Sequence, residues 1–262
     1  MRGIKFQKNI SLAGRTSFRV GGPARYFFIA KNRRDLIEAV SFAKEKGLPY
    51  FILGGGSNLL VSDKGFAGLV IAIDNSRLRV DGNKIIAGAG AQLSDLVRFS
   101  VKNNLTGLEW AIGIPGTIGG AVKISARAFG SDIAGLVKNI EKEGNVIFSV
   151  ELELKKGDKE KSKKLIKEYI IKRKNAQPLN YPSAGCIFKN PDGSFAGKLI
   201  EDCGLKGKQI GKAMISKKHA NFIINLGGAR AEDIAKLIAL TKDEVKKKFN
   251  LDLEEEIQRV GF

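Results

Sequence analysis

Three consecutive glycines, Gly54-Gly55-Gly56, end a short apolar run and constrain this chain more than any other feature. Successive N–H groups without side chains form a concave nest for anions. Glycine alone accepts the close approaches that such a loop demands. The residues before it show what it terminates. Arg34 to Lys46 carries Leu36, Ile37, Val40 and Ala43 at helical spacing, Gly47 offers a C-cap, and Pro49 to Leu53 reads as a buried strand. Upstream, Phe18 to Ile29 is rich in β-formers and reads as two strands around a turn at Gly21-Gly22-Pro23. The segment is therefore a βαβ-like unit entering a glycine loop. Ser57 and Asn58 add side-chain donors, and a pyrophosphate is the natural guest. A tight turn with no ligand is the competing reading.

A second loop, Gly113-Ile114-Pro115-Gly116-Thr117-Ile118-Gly119-Gly120-Ala121, is also apolar and glycine-rich. Two such loops favour phosphate binding by Gly54, Gly55, Gly56, Ser57 and Asn58 with Gly116, Thr117, Gly119, Gly120 and Ala121. Neither fits the dinucleotide pattern G-x-G-x-x-G. The nearest stretch, Gly88-Ala89-Gly90-Ala91-Gln92-Leu93, has leucine where the third glycine belongs, and no P-loop lysine follows a glycine. Strands are predicted at Leu69–Ile73, Arg77–Val80, Lys84–Ala87, Val137–Ile140, Val146–Leu154 and Ala220–Leu226. Helices are predicted at Leu93–Asn103, Leu165–Lys174, Ala196–Cys203 and Ala231–Phe249.

Composition narrows the chemistry. A length of 262 residues supports one large domain or two. The single histidine, His219, argues against a His-based metal centre or a Ser-His-Asp triad, and two cysteines make neither a disulfide framework nor a zinc motif. No metal is expected. The net charge of +18 could attract polyanions. The lysines are dispersed, however, and the densest run, Lys155 to Lys174, reads as a solvated helix face. No aromatic RNA-binding signature accompanies it, so no nucleic-acid partner is expected. No apolar run approaches the roughly 20 residues of a membrane span. Met1-Arg2-Gly3-Ile4-Lys5-Phe6 lacks an apolar leader core. These readings predict a cytoplasmic monomer acting on small molecules. The shift to charged residues at Lys155 suggests a domain boundary, giving 1–156 and 157–262.

The segment Ser183-Ala184-Gly185-Cys186-Ile187-Phe188-Lys189-Asn190-Pro191 sets a thiol in a small-residue turn beside a cation and an amide. It occurs in order with Ser17-Phe18-Arg19-Val20-Gly21-Gly22-Pro23-Ala24, the two glycine loops and His219-Ala220-Asn221-Phe222-Ile223. Together these resemble the UDP-N-acetylenolpyruvoylglucosamine reductase family over nearly the whole chain, in its compact form. The resemblance implies an α+β fold: an FAD-binding domain of the vanillyl-alcohol-oxidase (PCMH) type in two lobes, about 1–75 and 76–156, and a C-terminal α+β domain for a UDP-sugar. It implies NADPH as donor, hydride transfer through FAD to C3 of the enolpyruvyl group, and protonation at C2. In that pattern Cys186 takes the place of the proton donor, usually serine. Glu256 takes that of the second acid, with Glu255 as the register alternative. Lys189 and Asn190 match residues that bind the UDP moiety or its phosphates, and Lys174 assists. His219 and Cys203 are read as structural.

Two departures stand out. The family's Tyr-Arg-x-Ser segment, whose arginine contacts the enolpyruvyl carboxylate, is missing between Ile133 and Leu152, about 20 residues in all. Arg127 stands where the family usually has glycine, in Ser125-Ala126-Arg127-Ala128-Phe129-Gly130. Arg127 is therefore the candidate for the missing cation. The alternative function is a flavin or nucleotide-sugar-binding protein of the same fold with altered catalysis.

Overall fold

A computed structural model describes residues 5–262. The first four residues of the N-terminal stretch considered above lie outside them. The described chain forms two compact units. One comprises the residues up to Gln7, Phe27–Gly55 and Gly68–Arg173; the other comprises Lys8–Tyr26, Gly56–Ala67 and Lys174–Phe262. The expected boundary after residue 156 falls inside the first unit.

Six α-helices are present among the described residues: α1 (Arg33–Glu45), α2 (Leu93–Lys102), α3 (Ile118–Lys123), α4 (Lys159–Ala176), α5 (Ala196–Asp202) and α6 (Ala231–Phe249). Helix α1 starts at Asn32, whose side chain accepts the Asp35 N–H at 2.9 Å, a standard N-cap. In the first unit, Tyr50–Leu53 runs parallel to Phe66–Ile73, with Tyr50 opposite Leu69. Their sheet also holds the strand Pro23–Ala30, which lies in this unit from Phe27 onward. A second sheet is antiparallel, in the order Val137–Glu143, Val146–Glu153, Lys84–Gly88, Leu78–Asp81. Its inner residues Ile85, Ala87, Val150 and Leu152 pack with Leu93, Leu96 and Val97 of α2, and with Trp110 and Ile118.

The second unit has its own core, built on Phe18, Leu60, Ile187, Phe188 and the buried stripe of α6. That stripe is Ile234, Leu237, Ile238 and Val245, the i, i+3, i+4 pattern of an amphipathic helix. Both carboxylate oxygens of Asp63 accept N–H groups at the start of α6, from Ala231 at 2.9 Å and Glu232 at 3.0 Å. Glu232 and Asp233 begin the helix and Lys246 to Lys248 end it, as the macrodipole favours. Gln258–Val260 pairs in parallel with Leu59–Val61, which fixes the C-terminal segment beside Asn58.

Three expectations change. Phe18 and Val20 are buried but not in a strand, because Arg19 between them has φ +56°; only Pro23–Ala30 is extended. The strand expected over Ala220–Leu226 shortens to Ile223–Asn225, since Phe222 N–H closes a turn on the His219 carbonyl. The charged run after Lys155 is ordered. Lys155–Lys156 pairs with Leu105–Thr106, and α4 starts at Lys159 rather than near residue 165.

Candidate active site

The Cys186 turn is held by its neighbours in three dimensions rather than by a regular sheet. Gly185 takes φ +77°, a conformation L side chains rarely adopt. Cys186 then makes an isolated bridge with Phe222, and Phe188 makes another with Glu255. Asn221 is the buried brace. Its Oδ1 accepts the Phe188 N–H at 3.0 Å and its Nδ2 donates to the Phe188 carbonyl at 2.8 Å. The Ile187 N–H donates to the Asn221 carbonyl, and the Glu256 N–H donates to the Ile187 carbonyl, both at 2.8 Å. Asn58 Nδ2 donates to the Glu256 carbonyl at 3.0 Å. Cys186 and Glu256 are thus brought to one place by main-chain bonds.

The electrostatics follow. Burial raises the Cys186 pKa, the Glu256 charge raises it further, and a hydrogen bond with Asn221 opposes both; the balance pushes the thiol up to about 12. Sγ therefore carries its proton at neutral pH. Glu255 does a different job. It is bound by Lys242 at 3.1 Å and by Arg259 through Nε at 2.8 Å and Nη2 at 3.0 Å. Of the two adjacent acids, Glu256 is the one that acts on the thiol. Lys189 pairs with Glu254, and Asn190 Oδ1 accepts the Ala196 N–H at 3.1 Å at the start of α5. The Lys174 carbonyl accepts from Lys218 Nζ at 2.6 Å. His219 is held neutral: burial and nearby Lys206 lower its pKa, and its Nδ1 accepts the Asn221 N–H at 3.3 Å.

The two glycine loops behave differently. In the second, several N–H groups are spent inside the protein, while among the described residues no protein acceptor takes those of Gly116 and Thr117. Ile118 donates to Ala91, Gly119 to Ala89, Ala121 to Thr117, and Gly120 to the Thr117 hydroxyl that caps α3. A Cβ on Gly119 would lie 2.8 Å from Ala89 Cβ, so that glycine serves packing. In the first loop, a Cβ on Gly55 would lie 2.5 Å from Gly116 Cα, and one on Gly56 1.9 Å from the Arg15 carbonyl. These glycines permit loop-on-loop contact. Among the described residues no protein acceptor takes the N–H of Gly55 or Gly56, which leaves both available to a ligand.

Three buried side-chain donors have no partner among the described residues: Ser17 Oγ, Trp110 Nε1 and Arg173 Nε. Buried polar groups are normally satisfied. Ser17 is joined to the first loop through its N–H, which donates to the Gly56 carbonyl at 3.0 Å. In one unit the unspent Ser17 hydroxyl, and in the other the unspent Trp110 and Arg173 donors, each suit a ligand rich in acceptors, as FAD is. Arg127 is exposed and starts a two-residue hairpin strand opposite Asp132. Sequence reasoning missed Asn221 and Arg173. Asn221 stood within a recognised motif, whereas Arg173 was hidden in the lysine run.

Residues 24–153 match the family model of an FAD binding domain, and residues 177–260 match that of the UDP-N-acetylenolpyruvoylglucosamine reductase C-terminal domain. The curated UDP-N-acetylenolpyruvoylglucosamine reductase of Caldicellulosiruptor bescii is 42% identical, covering 99% of this chain and 92% of that one. That of Clostridium novyi is 40% identical, covering 98% and 92%. A crystal structure of UDP-N-acetylenolpyruvylglucosamine reductase from Thermus caldophilus has TM-score 0.85 at 34% identity, covering 98% of this chain and all of that one. The alignment with the C. bescii protein extends over 288 positions, more than the 262 residues of this chain, so the relative carries residues that are absent here.

Proposed function

The chain belongs to the UDP-N-acetylenolpyruvoylglucosamine reductase family, and from that membership and the geometry above we propose that Cys186 and Glu256 are the two acids of its reaction. The protein is an FAD-dependent oxidoreductase. It reduces UDP-N-acetylglucosamine enolpyruvate to UDP-N-acetylmuramate with NADPH, in peptidoglycan precursor synthesis. Its fold is α+β, an FAD-binding domain of the PCMH type followed by the C-terminal substrate domain. We place these at 1–156 and 157–262, supported by the matched ranges.

FAD, when bound, carries hydride from NADPH to C3 of the enolpyruvyl group. The protein's own residues must then supply a proton at C2 and stabilise the charge that gathers on the substrate carboxylate. Cys186 Sγ holds that proton because burial and the Glu256 charge keep the thiol from ionising. A carbon made strongly basic by hydride addition can remove it; ordinary bases at neutral pH cannot. Glu256 keeps the donor charged with its proton and faces the same reaction centre. The N–H groups of Gly55 and Gly56, with Gly54, Ser57 and Asn58, hold the FAD pyrophosphate. Gly119, Gly120 and Ala121 spend their N–H groups inside the protein and shape the flavin side, while the N–H groups of Gly116 and Thr117 stay available to the cofactor. Lys189, Asn190 and Lys174 receive the UDP moiety.

The observation that carries the assignment is the main-chain bond from Glu256 to Ile187, which sets the acid against the thiol. The test is direct. The purified protein should show flavin absorbance and oxidise NADPH only when the enolpyruvyl substrate is added. Flavin absorbance without substrate-dependent oxidation would instead favour the binding-only reading, which the missing Tyr-Arg-x-Ser segment motivates. Arg127 is proposed as the replacement cation for the substrate carboxylate. Arg127→Ala should then raise KM for the enolpyruvyl substrate about tenfold or more, as losing a charged hydrogen bond does; unchanged steady-state kinetics would remove Arg127 from the site. No described helix is long and apolar enough to cross a membrane. A cytoplasmic monomer acting on the UDP-sugar and NADPH completes the proposal.

A further inference from the structure

Only two charged residues are buried among those described, Glu109 and Arg173. They differ in how they are satisfied. Glu109 accepts hydrogen bonds from Thr106, Ser162 and Gly107. Arg173, in the last turn of α4, is 7% exposed and has no carboxylate partner among the described residues. Its Nη2 donates to the Trp110 carbonyl at 3.3 Å, its guanidinium lies over the Phe129 ring at 5.0 Å, and its Nε has no partner. Its Cδ would lie 3.1 Å from a Cβ placed on Gly113, so the side chain is pressed against the residue that opens the second glycine loop. Trp110 Nε1 is another unsatisfied buried donor in the same segment.

Burying a guanidinium without a counter-charge is unfavourable, and a single neutral carbonyl and a ring face offset little of that cost. Such a group is retained where a ligand brings the anion. Everything around Arg173 belongs to the flavin-binding part: Trp110, Gly113 and Phe129 all lie within the matched FAD domain, while Arg173 itself lies between the two matched ranges. We propose that Arg173 is the fixed positive charge for the isoalloxazine, donating to the ring edge where negative charge gathers when the flavin is reduced. It thereby favours the reduced cofactor. This rests on the FAD-binding reading and on placing the ring at the Gly113–Ala121 loop. The role is separate from that of Arg127, which is exposed and proposed for the substrate carboxylate.

The test is the flavin midpoint potential of the holoenzyme, measured by reductive titration against a reference dye, with KM for the enolpyruvyl substrate measured alongside. Arg173→Met should keep FAD but favour the oxidised flavin at least tenfold more than the parent, a drop of about 30 mV or more for a two-electron couple. Arg173→Lys, which keeps the charge, should recover part of the shift. An unshifted potential in Arg173→Met overturns the proposal; a raised KM with it would assign the guanidinium to the substrate carboxylate. Should Arg173→Met not retain FAD, Arg173→Gln decides by the same reading of its potential. Loss of FAD from both neutral variants, with retention in Arg173→Lys at the parent potential, would assign the charge to the pyrophosphate and also overturn it. Absence of FAD from the parent protein would instead defeat the underlying cofactor reading.

Discussion

Cys186→Ala is expected to lower turnover by about 10²–10⁴-fold, the usual worth of a positioned general acid, while NADPH still reduces the bound flavin. The two halves of the reaction separate because the thiol takes no part in flavin reduction by NADPH and acts only in the half that reduces the substrate. Stopped-flow flavin absorbance would show normal bleaching by NADPH and slow return of colour on adding the enolpyruvyl substrate. Cys186→Ser should retain substantial activity, since a hydroxyl can hold and deliver a proton from the same turn. Equal turnover in the alanine variant would reduce Cys186 to a packing residue. The electrostatic part can be read separately. Because the Glu256 charge raises the thiol pKa, Glu256→Gln should lower it. Thiolate absorbance on titration in a Cys203→Ser background would report that shift. Burial still acts in the variant, so the thiol should remain above its ordinary range.

Glu109→Ala is expected to destabilise the protein by about 3–5 kcal/mol, because three donors lose one buried acceptor. Glu109 Oε1 accepts from Thr106 Oγ1 at 2.7 Å and Ser162 Oγ at 2.5 Å, and Oε2 accepts the Gly107 N–H at 2.7 Å. These bonds tie the start of α4 to the turn that leads into Trp110 and Gly113. Burial alone would raise the Glu109 pKa, but the hydrogen bonds from Ser162, Thr106 and the backbone outweigh it and hold the carboxyl below its ordinary value. The stability this provides is complete above the unfolded carboxylate range, about pH 4.3, and is lost as pH falls through the lower folded value. Urea unfolding should therefore show the gap between parent and Glu109→Gln constant from pH 7 down to about pH 4.3 and narrowing below it. A gap that stays constant or widens below the carboxylate range would contradict this account.

Much of the fold is legible locally. Helix α6 runs over Ala231–Phe249 as expected, since its apolar period, acidic start and basic end all lie within the segment. The strands at Lys84–Gly88 and Val146–Glu153 are also found close to where alternation places them. The failures have equally specific causes. A left-handed backbone at Arg19 ends what β-propensity would continue. A side chain at Glu109, remote in sequence from α4, orders a charged stretch that composition describes as exposed linker. The glycine loops are conspicuous in the sequence, yet several of their glycines exist for loop-on-loop packing, which spacing cannot distinguish from ligand contact.

The sequence by itself determined the element types, the two glycine loops and the ordered motifs that mark the family, because these depend on residues adjacent in the chain. Only the tertiary structure decided which charges matter. Along the chain Arg127 lies between two alanines and Arg173 in a lysine run, which would suggest the opposite burial; folding leaves Arg127 exposed and buries Arg173 without a counter-charge among the described residues. Glu255 and Glu256 are neighbours, but one is taken by Lys242 and Arg259 while the other acts on Cys186. Burial and field at a group are set by whatever the fold brings around it, and those neighbours come from distant parts of the chain.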